Sequence, residues 1–96
     1  MTIQAYTVRA NRQKARIWIE GKRLAAAGFT RGTPYAVISN EKARTLTLIA
    51  HHSESKRKVA GKDERPIIDL TGGTCAPFIE GDAVEIAYQN GVITIY

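Results

Sequence analysis

Basic side chains are the groups in this sequence whose number and spacing could bind a ligand. Of the 96 residues, 14 are Lys or Arg and nine are Asp or Glu, and the formal net charge is +5. Every Lys and Arg lies within residues 1–65 together with five acids, so this part carries +9 and residues 66–96 carry −4. Such asymmetry predicts a polyanion, above all nucleic acid, as the partner. The alternative is that the charges solvate the surface or pair the two halves.

The cations fall into clusters. The segment from Arg9 to Arg16 holds four of them at near-alternate spacing with few large apolar residues. This composition predicts a loop or a flexible basic arm that reaches phosphates. Cations at the start of a predicted helix strengthen an anion site there, since they oppose the helix dipole. The candidate nucleic-acid-binding residues of these clusters are Arg9, Arg12, Lys14, Arg16, Lys22, Arg23, Lys56, Arg57 and Lys58.

Catalytic and metal chemistry find little support in the sequence. The adjacent His51 and His52 are not accompanied by Cys or acidic residues at metal-ligand spacing, and neighbouring residues of a strand point to opposite faces. An acid and base pair also needs an orienting partner, which this polar stretch does not offer. The single cysteine, Cys75, excludes an internal disulfide. We expect no catalytic site, no metal and no cofactor.

The elements that position the cations follow a repeated pattern. Residues 16–50 predict a strand at 17–19, a short helix at 22–27, a glycine turn and a β-hairpin, and residues 67–95 repeat the pattern with an irregular turn in place of the helix. The two copies share the motifs Phe29-x-x-Gly32-x-x-Tyr35-x-Val37 and Phe78-x-x-Gly81-x-x-Val84-x-Ile86. The sequence thus predicts a mainly β fold with one short helix, a small β-barrel of two pseudo-symmetric strand-helix-strand-strand halves.

The chain is short enough for one domain over residues 1–96. Within it we expect an N-terminal strand and basic arm at 1–15, the first repeat at 16–50, a polar basic linker at 51–66 and the second repeat at 67–96. Val59 is the residue of the linker that could anchor a short strand. Trp18 is expected in the core, since a barrel buries large residues; the alternative is that Trp18 or Tyr35 stacks on bases.

The two copies resemble the swapped-hairpin family of AbrB, SpoVT and MazE. The stretch RIWIEGKRLAAAGFTRGTPYAV of the first copy is most similar to the SymE-like branch. The resemblance implies a β-barrel that binds DNA through basic residues, here built by tandem copies in one chain. Carried over to this sequence, it implies nucleic-acid contacts at Arg12, Lys14, Arg16, Lys22, Arg23 and Arg31. The second copy offers Glu80 and Asp82 instead, so we expect only the first half to contact DNA.

Function is therefore expected to be nucleic-acid binding, with DNA favoured over RNA, in a regulatory role or as an accessory to a toxin, modification or mobile-element system. The alternative is a protein-interaction module or inhibitor that docks its basic face on a partner complex. The acidic second repeat could bind a protein partner, and a homodimer remains open. A SymE-like RNA-cleaving toxin is the least favoured reading. No apolar run is long enough for a membrane span, and we expect a cytoplasmic protein.

Overall fold

Alternating apolar residues build most of this fold from short antiparallel strands. The computed structural model describes residues 2–96 and is mainly β with one short helix, as the sequence predicts. The elements are β1 Thr2–Thr7, β2 Arg9–Asn11, β3 Lys14–Glu20, α1 Lys22–Ala26, β4 Tyr35–Asn40, β5 Thr45–Ala50, β6 Ala60–Lys62, β7 Arg65–Thr71, the 3-10 helix Gly72–Cys75, β8 Ala83–Gln89 and β9 Val92–Ile95.

The strands form two antiparallel sheets. The larger has the order β1-β8-β9-β5-β4 and the smaller has the order β2-β3-β7-β6. No closed barrel joins them among the described residues, so the predicted barrel is replaced by two open sheets around a common core. The helix is five residues long, and no helix within residues 2–96 has the length and hydropathy that a membrane crossing requires.

The core takes one face of each sheet, as expected from a side-chain period of two. Ile17 and Ile19 of β3 and Leu46 and Leu48 of β5 are at most 2% exposed. Phe29, which follows the helix, is fully buried and packs edge-on against Tyr35 with ring centroids 6.3 Å apart. These apolar side chains hold the two sheets together, since the burial of one such side chain stabilises the folded protein by about 1.5–3 kcal/mol.

The two predicted copies pair with each other in a twofold pattern. In the repeat, Ile17 corresponds to Ile68 and Ile19 corresponds to Leu70. In the smaller sheet Ile17 pairs with Leu70 and Ile19 pairs with Ile68, so exchanging the two copies turns one pair into the other. In the larger sheet Leu46 pairs with Ile95 and Leu48 with Ile93 in the same exchange. A pseudo-twofold relationship between the halves follows directly from these two registers.

The prediction of a loop or a flexible arm between Arg9 and Arg16 is wrong. The segment forms a β-hairpin in which Arg9 pairs with Arg16 and Asn11 with Lys14. The turn residues Arg12 and Gln13 have φ of 53° and 67°, a left-handed pair typical of two-residue hairpin turns. Edge strands pair through backbone hydrogen bonds, so a segment with few large apolar side chains can still form one.

The predicted linker at 51–66 is also more structured than expected. Val59 is 3% exposed, and the strand β6 begins directly after it and pairs with β7. The polar segment before it forms a single bridge between Pro34 and Lys58. The anchoring role predicted for Val59 is therefore confirmed, whereas β7 already begins at Arg65, inside the predicted linker.

Candidate nucleic-acid interface

A groove between β1 and β3 collects aromatic and basic side chains on one side of the molecule. Its volume is about 650 Å³ and it is open to solvent. Tyr6 and Arg9 line it from the β1 and β2 side, and Arg16 and Trp18 line it from β3. The strands β2 and β3, which carry Arg9 and Arg16, continue to the tip of their hairpin. Arg12 and Lys14 are exposed at this tip.

Trp18 is half-buried in this groove and is not part of the core, which corrects the expected core position. The alternation of β3 gives the reason, because Ile17 and Ile19 take the core face and leave Trp18 on the other. Its backbone N–H donates a 2.9 Å hydrogen bond to the hydroxyl oxygen of Tyr6. This bond fixes β1 against β3 and sets the distance between the two walls.

Arg16 lies over the indole of Trp18, with its guanidinium carbon 4.6 Å from the ring centroid. Its Nε and Nη2 donate to the two carboxylate oxygens of Asp69 at 2.9 and 3.0 Å. The hydrogen bond to Asp69 raises the pKa of the Arg16 guanidinium, so the group stays charged. A planar cation held over an indole is an arrangement that can also contact a nucleobase or a phosphate.

A second cation occupies the other wall of the groove. The guanidinium carbon of Arg9 lies 5.9 Å from the centroid of the Tyr6 ring. Arg9 and Arg16 are cross-strand partners in the hairpin, so two positive charges face the same end of the groove. Like charges in direct register disfavour the hairpin, and Asp69 relieves this by neutralising one of them.

The remaining predicted cations do not all converge on this groove. Arg31 pairs with Asp63 at 2.8 Å, at the turn between β6 and β7. Arg57 donates from Nη2 to Thr74 Oγ1 at 3.1 Å, which brings the basic triplet to the 3-10 helix. The exposed neighbours Lys56 and Lys58 lie on the same segment.

The helix cations occupy a different groove. Lys22 and Arg23 line an open depression of about 520 Å³ together with Tyr88 and Asn90, between α1 and the β8–β9 turn. The helix has no acidic residue in its first turn and no side-chain cap. These two cations are therefore separated from the hairpin cations by the length of β3, although β1 runs along both grooves.

Tyr35 is buried at 4% exposure and has no surface for a base, so the stacking role considered for it is excluded. Burial raises the pKa of its hydroxyl. Tyr6 is the tyrosine that lines the groove beside Trp18, and no feature of the sequence singled it out. Tyr6 lies in β1, and only the order of the strands in the folded protein brings it next to Trp18.

The acids of the second half partly pair with the cations of the first. Asp69 binds Arg16, and Asp82 lies 3.4 Å from Arg44. The alternative interpretation of the uneven charge distribution was that the charges pair the two halves, and these two carboxylates do form such pairs. Glu80 and Glu85 are exposed on the surface.

Within residues 2–96 no three His, Cys, Asp or Glu side chains come together as a metal site. His51 and His52 are both exposed, and His51 has a φ of 59° where β5 ends. Comparisons of this chain with family models, with curated proteins and with solved structures found no match.

Proposed function

We propose that this protein is a small nucleic-acid-binding module whose interface is the β2–β3 hairpin and the groove beside it. The observation that carries the proposal is Trp18, half-buried in an open groove with a guanidinium 4.6 Å from its ring and further cations at the rim. Proteins that bind nucleic acid strands combine such aromatic platforms with a basic path for the backbone.

The hairpin supplies the phosphate contacts. Arg9, Arg12 and Lys14 are exposed, and no ion pair holds them among the described residues. A paired strand orients these side chains better than a flexible arm would, so less conformational entropy is lost when they bind. Such contacts fix the nucleic acid without reading its sequence.

The groove supplies a place for a base. Trp18 and Tyr6 present aromatic surface there, and stacking on an aromatic side chain stabilises binding by about 1–3 kcal/mol per base. A base can enter such a groove only when it is unpaired. The resemblance to the AbrB, SpoVT and MazE family supports DNA as the polymer, in a regulatory or accessory role.

The chain has a single tryptophan, so its fluorescence reports on Trp18 alone. Titration with single-stranded and duplex oligonucleotides should quench this fluorescence, most strongly for the single strand. Affinity should fall steeply as salt rises, because phosphate contacts release counterions. Absence of any binding at about 50 mM salt with micromolar protein would contradict the proposal.

A variant separates base stacking from phosphate binding. Trp18→Leu lacks the fluorescent side chain, so its binding is followed by the anisotropy of a labelled oligonucleotide, with the parent chain measured in the same way. The variant should bind the single strand more weakly by about 1–3 kcal/mol, with an unchanged slope of affinity against salt. Circular dichroism of the variant checks that the strands are retained. If Trp18→Leu binds as tightly as the parent, the groove is not where bases stack and only the hairpin part of the proposal stands.

A further inference from the structure

The pseudo-twofold relationship makes β8 and β4 equivalent strands of the larger sheet. The outer edge of β8 is covered by β1, whereas the outer edge of β4 is open within residues 2–96. On the β8 edge, β1 pairs antiparallel, with Gln4 opposite Ile86 and Thr2 opposite Tyr88. The twofold relationship makes Val37 and Ser39 of β4 the counterparts of Ile86 and Tyr88. No strand pairs with β4 on its outer side within residues 2–96.

The counterpart of β1 is the segment 53–58, which covers only the start of β4. The C=O of Arg57 accepts from Tyr35 N–H at 3.1 Å, and Ser55 Oγ donates to the Tyr35 C=O at 2.6 Å. The segment then turns back, with Ser55 N–H bonded to the C=O of His52. The segment 53–58 begins only three residues after the end of β5 at Ala50. This connection is too short for the segment to run along β4 in the way that β1 runs along β8.

The rest of the β4 edge offers unused backbone groups. Ala36, Ile38 and Asn40 face β5, in register with Ile49, Thr47 and Thr45. The N–H and C=O groups of Val37 and Ser39 alternate with them and point outward. Within the described chain, the backbone of neither residue makes a hydrogen bond on that side. The Ser39 hydroxyl donates to the C=O of Ala76 at 2.7 Å, and this bond leaves the Ser39 backbone groups free.

This edge also lacks the usual protection against pairing. Natural edge strands carry Lys, Pro or bulges that prevent association. The strand Tyr35–Asn40, YAVISN, contains no charged residue and no proline. Ile38 on it is 51% exposed, which makes it one of the few large apolar side chains left in solvent.

We propose that the β4 edge pairs with the β4 edge of a second copy, antiparallel and about a twofold axis at Ile38. Val37 of one copy then exchanges two hydrogen bonds with Ser39 of the other, and the symmetric pair adds two more. Ile38 faces its own copy in a non-hydrogen-bonded pair, where Cβ atoms lie about 4.5–5.5 Å apart.

The second copy is favoured over other occupants for two reasons. The open stretch is Ala36–Asn40, and the same stretch of another copy fits it in length without meeting the segment that covers Tyr35. Pairing of β4 with β1 of another copy would be head to tail and would continue into filaments, whereas pairing of β4 with itself closes as a dimer.

Disulfide trapping tests the contact and its register. Ile38→Cys should form a disulfide-linked dimer under mild oxidation, because the two Cβ atoms lie close to the separation that a disulfide needs. Ile3→Cys is the matched control, since Ile3 is 53% exposed on β1, at the far edge of the same sheet. Cys75 is fully buried in the parent chain, so we expect it to take no part in either variant.

Analytical ultracentrifugation provides the second readout. The parent chain should show a dimer that dissociates on dilution, and Ile38→Lys should be monomeric because two facing ammonium groups repel. Ile3→Lys should dimerise like the parent. A parent chain that is monomeric from micromolar to millimolar concentration, or equal cross-linking of Ile38→Cys and Ile3→Cys, would overturn the proposal.

Discussion

Val8 and Val59 hold the same position in the two halves of this protein. The N–H of Val8 donates to the C=O of Asp82 and its C=O accepts from Gly81, both at 2.9 Å. Val59 makes the same two bonds with Thr33 and Gly32, at 3.0 and 2.8 Å. The repeating unit therefore begins earlier than the sequence suggests, just before the short strand β2 in one half and the short strand β6 in the other.

This equivalence predicts equal energetic roles. Val8 and Val59 are 1% and 3% exposed, so truncation to Ala removes two buried methyl groups at each site. We expect Val8→Ala and Val59→Ala each to lower the free energy of unfolding by about 1.5–2 kcal/mol. Urea denaturation measures both. A negligible effect at Val59 would show that the segment before β6 is held less firmly than its counterpart.

A glycine in the β6–β7 hairpin should be far less replaceable than one in an open turn. Gly61 and Gly32 both have a φ of 86°. A Cβ on Gly61 would lie 2.4 Å from the C=O oxygen of Arg65, whereas one on Gly32 meets no atom within 4 Å. Gly32→Ala should cost about 1–2 kcal/mol of unfolding free energy from backbone strain alone.

Gly61→Ala should cost more than this because backbone must also move. The comparison is made by chemical denaturation of the two variants under the same conditions. Equal losses at the two sites would mean that the hairpin relaxes around the added methyl group, and would contradict the close packing of β6 on β7.

The hairpin cations should determine the salt dependence of nucleic-acid binding. Replacing Arg12 and Lys14 together by Ala removes two exposed charges at the tip. The slope of log affinity against log salt should fall in magnitude by about 1.5, close to 0.7–0.9 for each phosphate contact. Lys42→Ala with Lys62→Ala is the control, since it removes the same charge from two other hairpins. Equal slopes in both double variants would place the interface elsewhere.

Alkaline pH should destabilise the protein in two stages. Burial raises the pKa of the Cys75 thiol, whose Sγ donates to the C=O of Leu70 at 3.1 Å. The folded state therefore retains a proton that the unfolded state releases, and stability falls as pH rises above about 8.5. The same argument applies above about pH 10 to Tyr35 and Tyr88, whose pKa values are also raised by burial.

Thermal unfolding as a function of pH measures this effect. Cys75→Ala should lose the first stage of the decline and keep the second. In the parent chain a thiol reagent should react slowly with Cys75 in the native state and rapidly after denaturation. Stability that rises between about pH 8.5 and 10 would contradict the direction of these pKa shifts.

The sequence by itself determined the elements whose signal is local. The strand at 17–19 and the β-hairpin within residues 16–50 were predicted from neighbouring residues, because side chains on a strand alternate between its two faces. Asn90 and Gly91 form the turn between β8 and β9, and an Asn-Gly dipeptide is itself a local signal for a hairpin. The matched spacing after Phe29 and Phe78 identified the two halves, since both aromatic rings must reach the same core.

Only the tertiary structure decided where the polar segments go. The strands β2 and β6 form through backbone hydrogen bonds to a neighbour, and this bonding leaves little trace in side-chain type. Tyr6 meets the backbone of Trp18 across 12 residues, and Arg16 meets Asp69 across 53. Contacts at such separation depend on how the sheets are ordered, and for that reason the groove could not be read from the chain alone.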